Sequence, residues 1–293
     1  MRHRIILLIL LLSLAGMLSA QGWRFYSDAS LSLAQSSYSD NWAGTELSSI
    51  TWFGNSNSFA EKQLTKRMHN KTSLKLAFGQ THNQKTDAEG DRYWAKPDKT
   101  TDNIDLETVL KFTLDAFVDP YLSGRMESQF LDFSQQAIGN SRTLNPIRFT
   151  EAAGVSKTFI KKDNEGLSAR LGAAFRQNMD RHSAVPSTVD EYENITTNDG
   201  GLEFITEYNK GVKITNLLFT SRLSVFQAVF NSKSDELNDD WKAADVVWDN
   251  VLSTKLFSMV TASLNVQFKY EKQEDRKFQY KETLGLGFSY QLF

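Results

Sequence analysis

Apolar and polar side chains alternate along most of this chain. Between Val260 and Tyr270 every second residue is apolar, and Ile104–Asp115 shows nearly the same alternation. Successive side chains of a β-strand point to opposite faces, so this pattern predicts strands with one apolar face. About twelve strands are predicted, at 23–35, 46–62, 71–78, 104–115, 122–130, 149–160, 168–176, 201–209, 214–230, 246–257, 260–270 and 278–293.

The connections between these strands alternate in length. Short turns are predicted at 116–120, 161–166, 209–211 and 258–259, whereas long polar loops are predicted at 80–102, 134–148, 179–199 and 232–244. Short periplasmic turns and long extracellular loops are typical of outer-membrane barrels, and a soluble sandwich has no reason to sort its loops this way. The chain is therefore predicted to be all-β, a single antiparallel transmembrane β-barrel over residues 21–293, with outer-membrane lipid around it.

The last strand ends in alternating apolar residues. Every second position from Leu284 to Leu292 is large and apolar, although the terminal Phe293 falls one residue out of this register. In outer-membrane barrels the last strand closes against the first, and the pattern resembles the signal that the barrel assembly machinery reads. That machinery is a predicted partner, and the predicted assembly signal comprises Phe288, Tyr290, Leu292 and Phe293.

The first twenty residues have the layout of a secretory signal peptide. Arg2–Arg4 is basic, Ile5–Leu14 is apolar, and Leu18–Ala20 provides a cleavage site before Gln21. The apolar stretch is shorter than the roughly 20 residues that a spanning helix requires. Residues 1–20 are predicted to be removed on export.

Composition excludes several classes of protein. Cysteine is absent, which rules out disulfides and cysteine–zinc sites, and 33 basic residues nearly balance 35 acidic ones, which argues against a nucleic-acid partner. The mean hydropathy of −0.41 is too low for a helical membrane protein. It suits a barrel, in which only alternate residues face lipid.

The polar faces of the predicted strands carry charges that should point into the barrel. One interpretation is a charged pore that passes small solutes. The other is a lumen packed shut by side chains, in a structural or interaction barrel of the envelope. The candidate lumen-facing residues are Asp105, Glu107, Lys111, Arg125, Glu127, Arg170, Arg176, Glu203, Glu207, Arg222, Lys255 and Lys269.

Enzymatic and metal sites are weakly indicated. His69, His82 and the pair His182-Ser183 could serve a lipid hydrolase at the barrel rim, but no Gly-x-Ser-x-Gly motif is present. The acidic run Asp235–Asp240 lacks the spaced glycine of a calcium loop and is interpreted as a solvated loop. The prediction is a non-enzymatic protein without catalytic residues, metal ligands or cofactor.

Four short segments resemble an uncharacterised Gram-negative outer-membrane β-barrel family, the DUF3078 family. They are Asn41–Gly44, Lys99–Ile104, Tyr121–Phe130 and Asn145–Gly154. The resemblance implies a barrel in the cell envelope. It implies no activity and no catalytic residue.

Overall fold

The computed structural model describes residues 22–39, 47–134, 141–183, 192–212, 216–237, 239–273 and 275–291. Nearly all of this part of the chain is extended, and a single short 3₁₀ turn is described, at Asp240–Lys242. The strands are β1 (Arg24–Ser36), β2 (Ser49–Thr65), β3 (Met68–Thr86), β4 (Arg92–Trp94), β5 (Asp98–Phe112), β6 (Asp119–Ser128), β7 (Leu131–Asp132), β8 (Arg142–Thr143), β9 (Ile147–Lys162), β10 (Glu165–Ser183), β11 (Tyr192–Val212), β12 (Leu217–Asn231), β13 (Asp245–Lys255), β14 (Val260–Tyr270) and β15 (Gln279–Gln291).

These strands close into a barrel. Thirteen of them form one sheet in the order β2-β1-β15-β14-β13-β12-β11-β10-β9-β6-β5-β3-β4, and β2 also pairs with β3. The last pairing closes a ring of twelve antiparallel strands and leaves β4 as a flap on β3. Closure removes the sheet edges that could not be hydrogen-bonded inside a membrane. The predicted barrel of about twelve strands is confirmed.

The two ends of the barrel differ in the lengths of the connections between strands. At the short-turn end the strands are joined by 66–67, 113–118, 163–164, 213–216 and 256–259, and at the long-loop end by 37–48, 87–97, 129–146, 184–191, 232–244 and 271–278. The asymmetry predicted from the sequence is therefore present, with the short turns on the side that is periplasmic in outer-membrane barrels.

Several predicted boundaries are wrong, because the strands continue past the membrane. The predicted loops 80–102 and 179–199 are largely strand, since β3 runs to Thr86 and β11 begins at Tyr192. The predicted turn at 209–211 lies inside β11, whose register continues to Val212 opposite Leu217. Polar residues beyond the apolar band were interpreted as loops, although their backbones remain paired.

Large apolar side chains cover the outside of the barrel and are exposed. Leu31, Leu171 and Leu284 are 55%, 51% and 77% exposed. Leucines at such exposure all around a closed sheet would form an apolar surface far larger than soluble monomers present to water, and hydrocarbon is the solvent that suits it. Two carboxylates, Glu151 and Glu282, interrupt this surface, each toward the long-loop end of its strand.

Exposed aromatic residues flank the apolar surface at both ends, as the interfacial girdles of outer-membrane barrels do. The closed ring, its apolar exterior and these girdles identify a bacterial outer-membrane protein. The aromatic residues are Phe117, Phe159, Phe257 and Tyr290 toward the short turns, and Tyr93, Trp94, Phe230, Phe278 and Tyr280 toward the long loops.

Phe288 and Tyr290 of the predicted assembly signal lie on the outer face of β15, 67% and 60% exposed. Leu292 and Phe293 lie outside the described residues, as does the predicted signal peptide. No helix in the described part of the chain is long and apolar enough to cross a membrane.

Candidate functional site: the barrel lumen

A network of ion pairs crosses the inside of the barrel, and Glu107 on β5 is at its centre. Arg222 of β12 donates from Nη1 to Glu107 Oε2 at 2.8 Å, and Arg170 of β10 donates to Glu107 Oε1. In the ring β5 and β12 are five strands apart in one direction and seven in the other. The Glu107–Arg222 pair therefore spans the lumen rather than joining neighbouring strands.

Neighbouring charges on β5, β6, β10, β11 and β12 extend this network. Arg125 donates from Nε to Asp105 at 2.8 Å and from Nη2 to Glu127 at 3.0 Å. Arg222 also reaches Glu207 Oε1 at 2.5 Å. Arg170 Nε lies 3.8 Å from Glu203 Oε1. We call these eight residues the lumen network: Asp105, Glu107, Arg125, Glu127, Arg170, Glu203, Glu207 and Arg222.

A second cluster lies nearer the long-loop end. Arg176 of β10 binds Asp199 of β11 at 2.9 Å and Asp245 of β13 at 2.7 Å. Arg148 binds Glu271 at 3.1 Å, although β9 and the end of β14 are five strands apart. Lys269 reaches the other oxygen of Glu271 at 3.2 Å.

Four residues of this second cluster are absent from the candidates predicted from sequence. Arg148 and Asp199 fell inside predicted loops, and Asp245 and Glu271 fell at predicted strand ends. All four lie just beyond the ends of the predicted strands. The apolar alternation predicts these strands to be shorter than they are in the structure. Continuing the inward-facing parity by two or three residues past each predicted end would have found them.

The lumen network and the second cluster together form what we call the charged wall, and this wall is tightly packed. Glu107 and Glu203 are 5% and 7% exposed, and the guanidinium carbon of Arg176 lies 3.5 Å from the centroid of the buried Phe226 ring. A cavity of about 60 Å³ remains between Arg125, Arg148, Arg176 and their neighbours, which is room for a few water molecules. Buried charges are tolerated only when paired and hydrogen-bonded, as Glu107 is by Arg170 and Arg222.

Four buried polar atoms on this wall have no hydrogen-bond partner among the described residues, and two of them face each other across the 3.8 Å separation of Arg170 and Glu203. Such atoms are ordinarily satisfied by internal water. The atoms are Tyr121 Oη, Arg170 Nε, Arg222 Nε and Glu203 Oε1.

The opposite wall is different in chemistry. It is formed by the inward faces of β14, β15, β1 and β2, which carry mostly uncharged groups. Small side chains surround Ser32 and Gly285, while the aromatic rings of Tyr26, Phe53 and Phe59 lie on the same face. A Cβ placed on Gly285 would lie 3.3 Å from Ser263 Oγ and 3.4 Å from Ser32 Oγ, so these three positions share one face. Ser30 Oγ donates to Asn55 Oδ1 at 2.7 Å on the same face. We call this the neutral wall.

Side chains of the neutral wall are more exposed than those of the charged wall. Ser30, Ser32, Ser263 and Asn265 are all half-buried, and Asn57 is exposed. Water therefore reaches this side of the lumen, whereas Asp105, Glu107 and Glu203 at the centre of the charged side are buried. Lys281 on β15 lies over the long-loop mouth, where its Nζ donates to Thr101 Oγ1 at 2.9 Å and to the Thr100 carbonyl at 3.2 Å across the lumen.

The remaining predicted lumen charges lie toward the barrel ends. Lys111 lies 3.6 Å from Asp119 at the short-turn end, and Lys255 is the exposed last residue of β13. Lys269 belongs to the second cluster. The structure thus brings nine of the twelve candidates into the two charged clusters by paired contacts across strands, and Lys269 joins them through Glu271.

The histidines named in the sequence analysis are dispersed. His69 lies near the short-turn end of β3, with Nε2 3.8 Å from Glu61. His82 lies near the long-loop end of the same strand, opposite Ile50. The side chains of His182 and Ser183 lie outside the described residues. Within the described residues no group of three acidic or histidine side chains is placed to hold a metal ion.

A known protein-family model matches about a third of the chain. Residues 33–132 match the model of a family described as a protein of unknown function, DUF3078. The predicted resemblance is confirmed over these residues. Three of the four segments that suggested it lie inside the match, and Asn145–Gly154 lies beyond it. None of the curated proteins compared with the chain matches it.

Solved barrels are similar to the chain over nearly its whole length. An outer membrane channel from Pseudomonas putida F1 has 12% identity and a TM-score of 0.40, over 92% of this chain and 94% of that one. The translocator domain of the autotransporter NalP from Neisseria meningitidis has 7% identity and a TM-score of 0.34, over 98% and 95%. OprB from Pseudomonas putida has 8% identity and a TM-score of 0.27, over 92% and 93%. The fold assignment rests on the strand ring itself.

Proposed function

We propose that the protein is a narrow outer-membrane channel for small hydrophilic solutes, and that solutes pass along the neutral wall. The observation that carries the proposal is the difference in burial between the two walls. Asp105, Glu107 and Glu203 are buried in ion pairs, whereas Ser30, Ser32 and Ser263 remain accessible to water. The ion pairs narrow the lumen from one side and leave a passage on the other.

The chemistry of the passage favours uncharged polar solutes. Hydroxyl and amide groups of Ser30, Asn55, Ser263 and Asn265 can replace part of a solute's hydration shell without a strong electrostatic preference. Charged solutes meet Lys281 at the long-loop mouth. The proposal includes no catalytic step and no cofactor.

The competing function is a structural or interaction barrel with a closed lumen, and the buried Glu107–Arg222 pair supports it. The two functions differ in conductance. Purified protein in a planar bilayer should give discrete conductance steps if the neutral wall is an open passage. If well-folded protein inserts many times and no conductance steps are recorded, the closed barrel is favoured.

A matched pair of substitutions tests the route. Ser263→Trp places a large ring into the neutral wall, and we expect the unitary conductance to fall several-fold. Leu264→Trp changes the adjacent residue, whose side chain points to lipid, and should leave conductance unchanged. Equal conductance in the two variants would contradict passage along this wall.

A further inference from the structure

Among the described residues, the barrel is closed by its shortest strand pairing. β1 and β15 are joined over five positions, from Asp28 opposite Gln291 to Ser32 opposite Gly287. The next shortest pairing in the ring, between β5 and β6, joins eight positions, and the pairing of β10 with β11 joins nineteen. Each paired position contributes to holding the ring together, so this seam is the weakest line of the wall.

Both strands continue past the seam toward the long-loop end. Residues 33–36 of β1 remain paired with β2, and residues 279–286 of β15 remain paired with β14. In the part of the chain that the structure describes, each segment therefore has one edge without a partner strand. Such an edge exposes N–H and C=O groups, which is costly in hydrocarbon and requires something polar or adaptable at that place.

The two sides of this gap differ in polarity. On the outside Leu33, Leu284 and Leu286 are 67%, 77% and 61% exposed, so the approach from the membrane is apolar. On the inside Gly285 and Gly287 carry no side chain, and Ser32 carries a small one. The longer side chain of Lys281, on the same segment of β15, extends away from these residues to Thr101 at the mouth.

We propose that the upper part of the β1–β15 seam is a lateral opening through which small apolar or amphipathic molecules pass between the lumen and the outer-membrane hydrocarbon. The inference rests on the proposed function in that it needs a lumen accessible to solutes. Lys281 partly covers the long-loop mouth above the neutral wall. For a molecule that partitions into lipid, the lateral opening is therefore less obstructed than the mouth.

The test closes the gap with a disulfide. The chain has no cysteine, so any disulfide within a double-cysteine variant must join the two introduced residues. Extending the seam register places Ala34 opposite Gly285, and Ala34→Cys with Gly285→Cys would join the two free edges. Val266→Cys with Glu282→Cys is the matched control, because it joins the same segment of β15 to β14 on the outer face, where pairing is already complete and no residue of the neutral wall changes.

The readout is entry of N-phenyl-1-naphthylamine into cells that express each variant, since its fluorescence rises in hydrocarbon. Expression of the wild type should speed entry over vector alone. The oxidised Ala34–Gly285 pair should lose at least half of that gain and recover it with reductant, and the control pair should keep it. Planar-bilayer conductance of the same proteins tests the axial channel separately.

Three results would overturn the proposal. One is an unchanged entry rate with the Ala34–Gly285 disulfide fully formed, and another is no gain from the wild type. The third is efficient disulfide-linked dimers of Ala34→Cys alone, which would identify the gap as a contact between two copies. If conductance is absent but dye entry follows the expected pattern, the axial channel fails and the lateral route stands.

Discussion

Glu107 is the residue on which the lumen network depends. Its carboxylate accepts hydrogen bonds from two arginines on different strands, and its side chain is 6% exposed. Removing one member of a buried ion pair leaves the other charges without compensation in a medium that solvates them poorly. Arg222 would keep only Glu207, and Arg170 would keep only the more distant Glu203 at 3.8 Å.

We expect Glu107→Gln to lower the free energy of unfolding by about 3–5 kcal/mol, the usual cost of breaking a buried pair. Denaturant unfolding in detergent, followed by tryptophan fluorescence, measures it. Glu193→Gln makes the same chemical change at an exposed position of β11 and should have little effect. Equal destabilisation by the two substitutions would show that the network adds nothing beyond general charge balance.

The alternation along β14 makes a second prediction at single residues. Leu264→Arg puts a charge on the lipid face at a cost of about 2–4 kcal/mol near the bilayer midplane and should reduce assembled protein. Asn265→Arg puts the same charge on the lumen face and should assemble. The yield of each variant in the outer membrane measures both effects. Similar yields would mean that the lipid-facing and lumen-facing positions of β14 are assigned wrongly.

At the scale of elements, the period-two pattern was sufficient for all twelve barrel strands but not for their ends. The apolar face of β3 or β11 stops where the membrane stops, while backbone pairing continues into water, where polar residues suit both faces. Alternation therefore reports the membrane-embedded length. The side of the barrel that is packed could not be predicted, because it depends on which charges meet across five strands.

Ion pairs connect the 3₁₀ turn in the loop 232–244 to the neighbouring loop 271–278. Lys272 Nζ lies 3.0 Å from Asp240 Oδ1, and Arg276 Nη2 lies 3.1 Å from Oδ2. Hydrogen bonds from Lys272 and Arg276 lower the pKa of the Asp240 carboxyl. A lowered folded-state pKa means that the contact stabilises the loop above the ordinary aspartate pKa of about 3.9 and is lost as pH falls through the folded value.

We therefore expect amide hydrogen exchange in 239–243 to be slow near pH 6 and to accelerate below about pH 4, after correction for the intrinsic rate. Asp240→Asn should exchange rapidly at both pH values. A variant that keeps the acid-dependent change would assign it to a different group.

The closing strand makes a prediction beyond the described residues. Because β15 must pair with β1 to close the ring, deleting Leu292 and Phe293 should impair insertion more than a loop deletion of the same size. Removal of Phe293 alone should be tolerated if Leu292 is the terminal apolar position. Normal outer-membrane yield after the double deletion would contradict a role for these residues in assembly.

At the scale of the whole molecule, a closed sheet with a buried ionic network should resist detergent until heated. We expect the protein to fractionate with the outer membrane and to migrate faster in dodecyl sulfate gels before boiling than after. We also propose that residues 1–20 are removed, so the intact mass should correspond to a chain that begins at Gln21. Recovery in the soluble periplasm after mild lysis would contradict the membrane assignment.

The unequal lengths of the strands give the barrel an uneven outline. β11 has 21 residues, about 70 Å of strand at about 3.3 Å per residue. At a tilt of about 40° it rises about 50 Å, against an apolar band about 25 Å tall. Short turns join β10 to β9 and β11 to β12 at the periplasmic end, so most of the excess length of β10 and β11 extends above the outer leaflet. An antibody raised against the upper part of these strands would label intact cells, and its binding would report correct insertion without breaking them open.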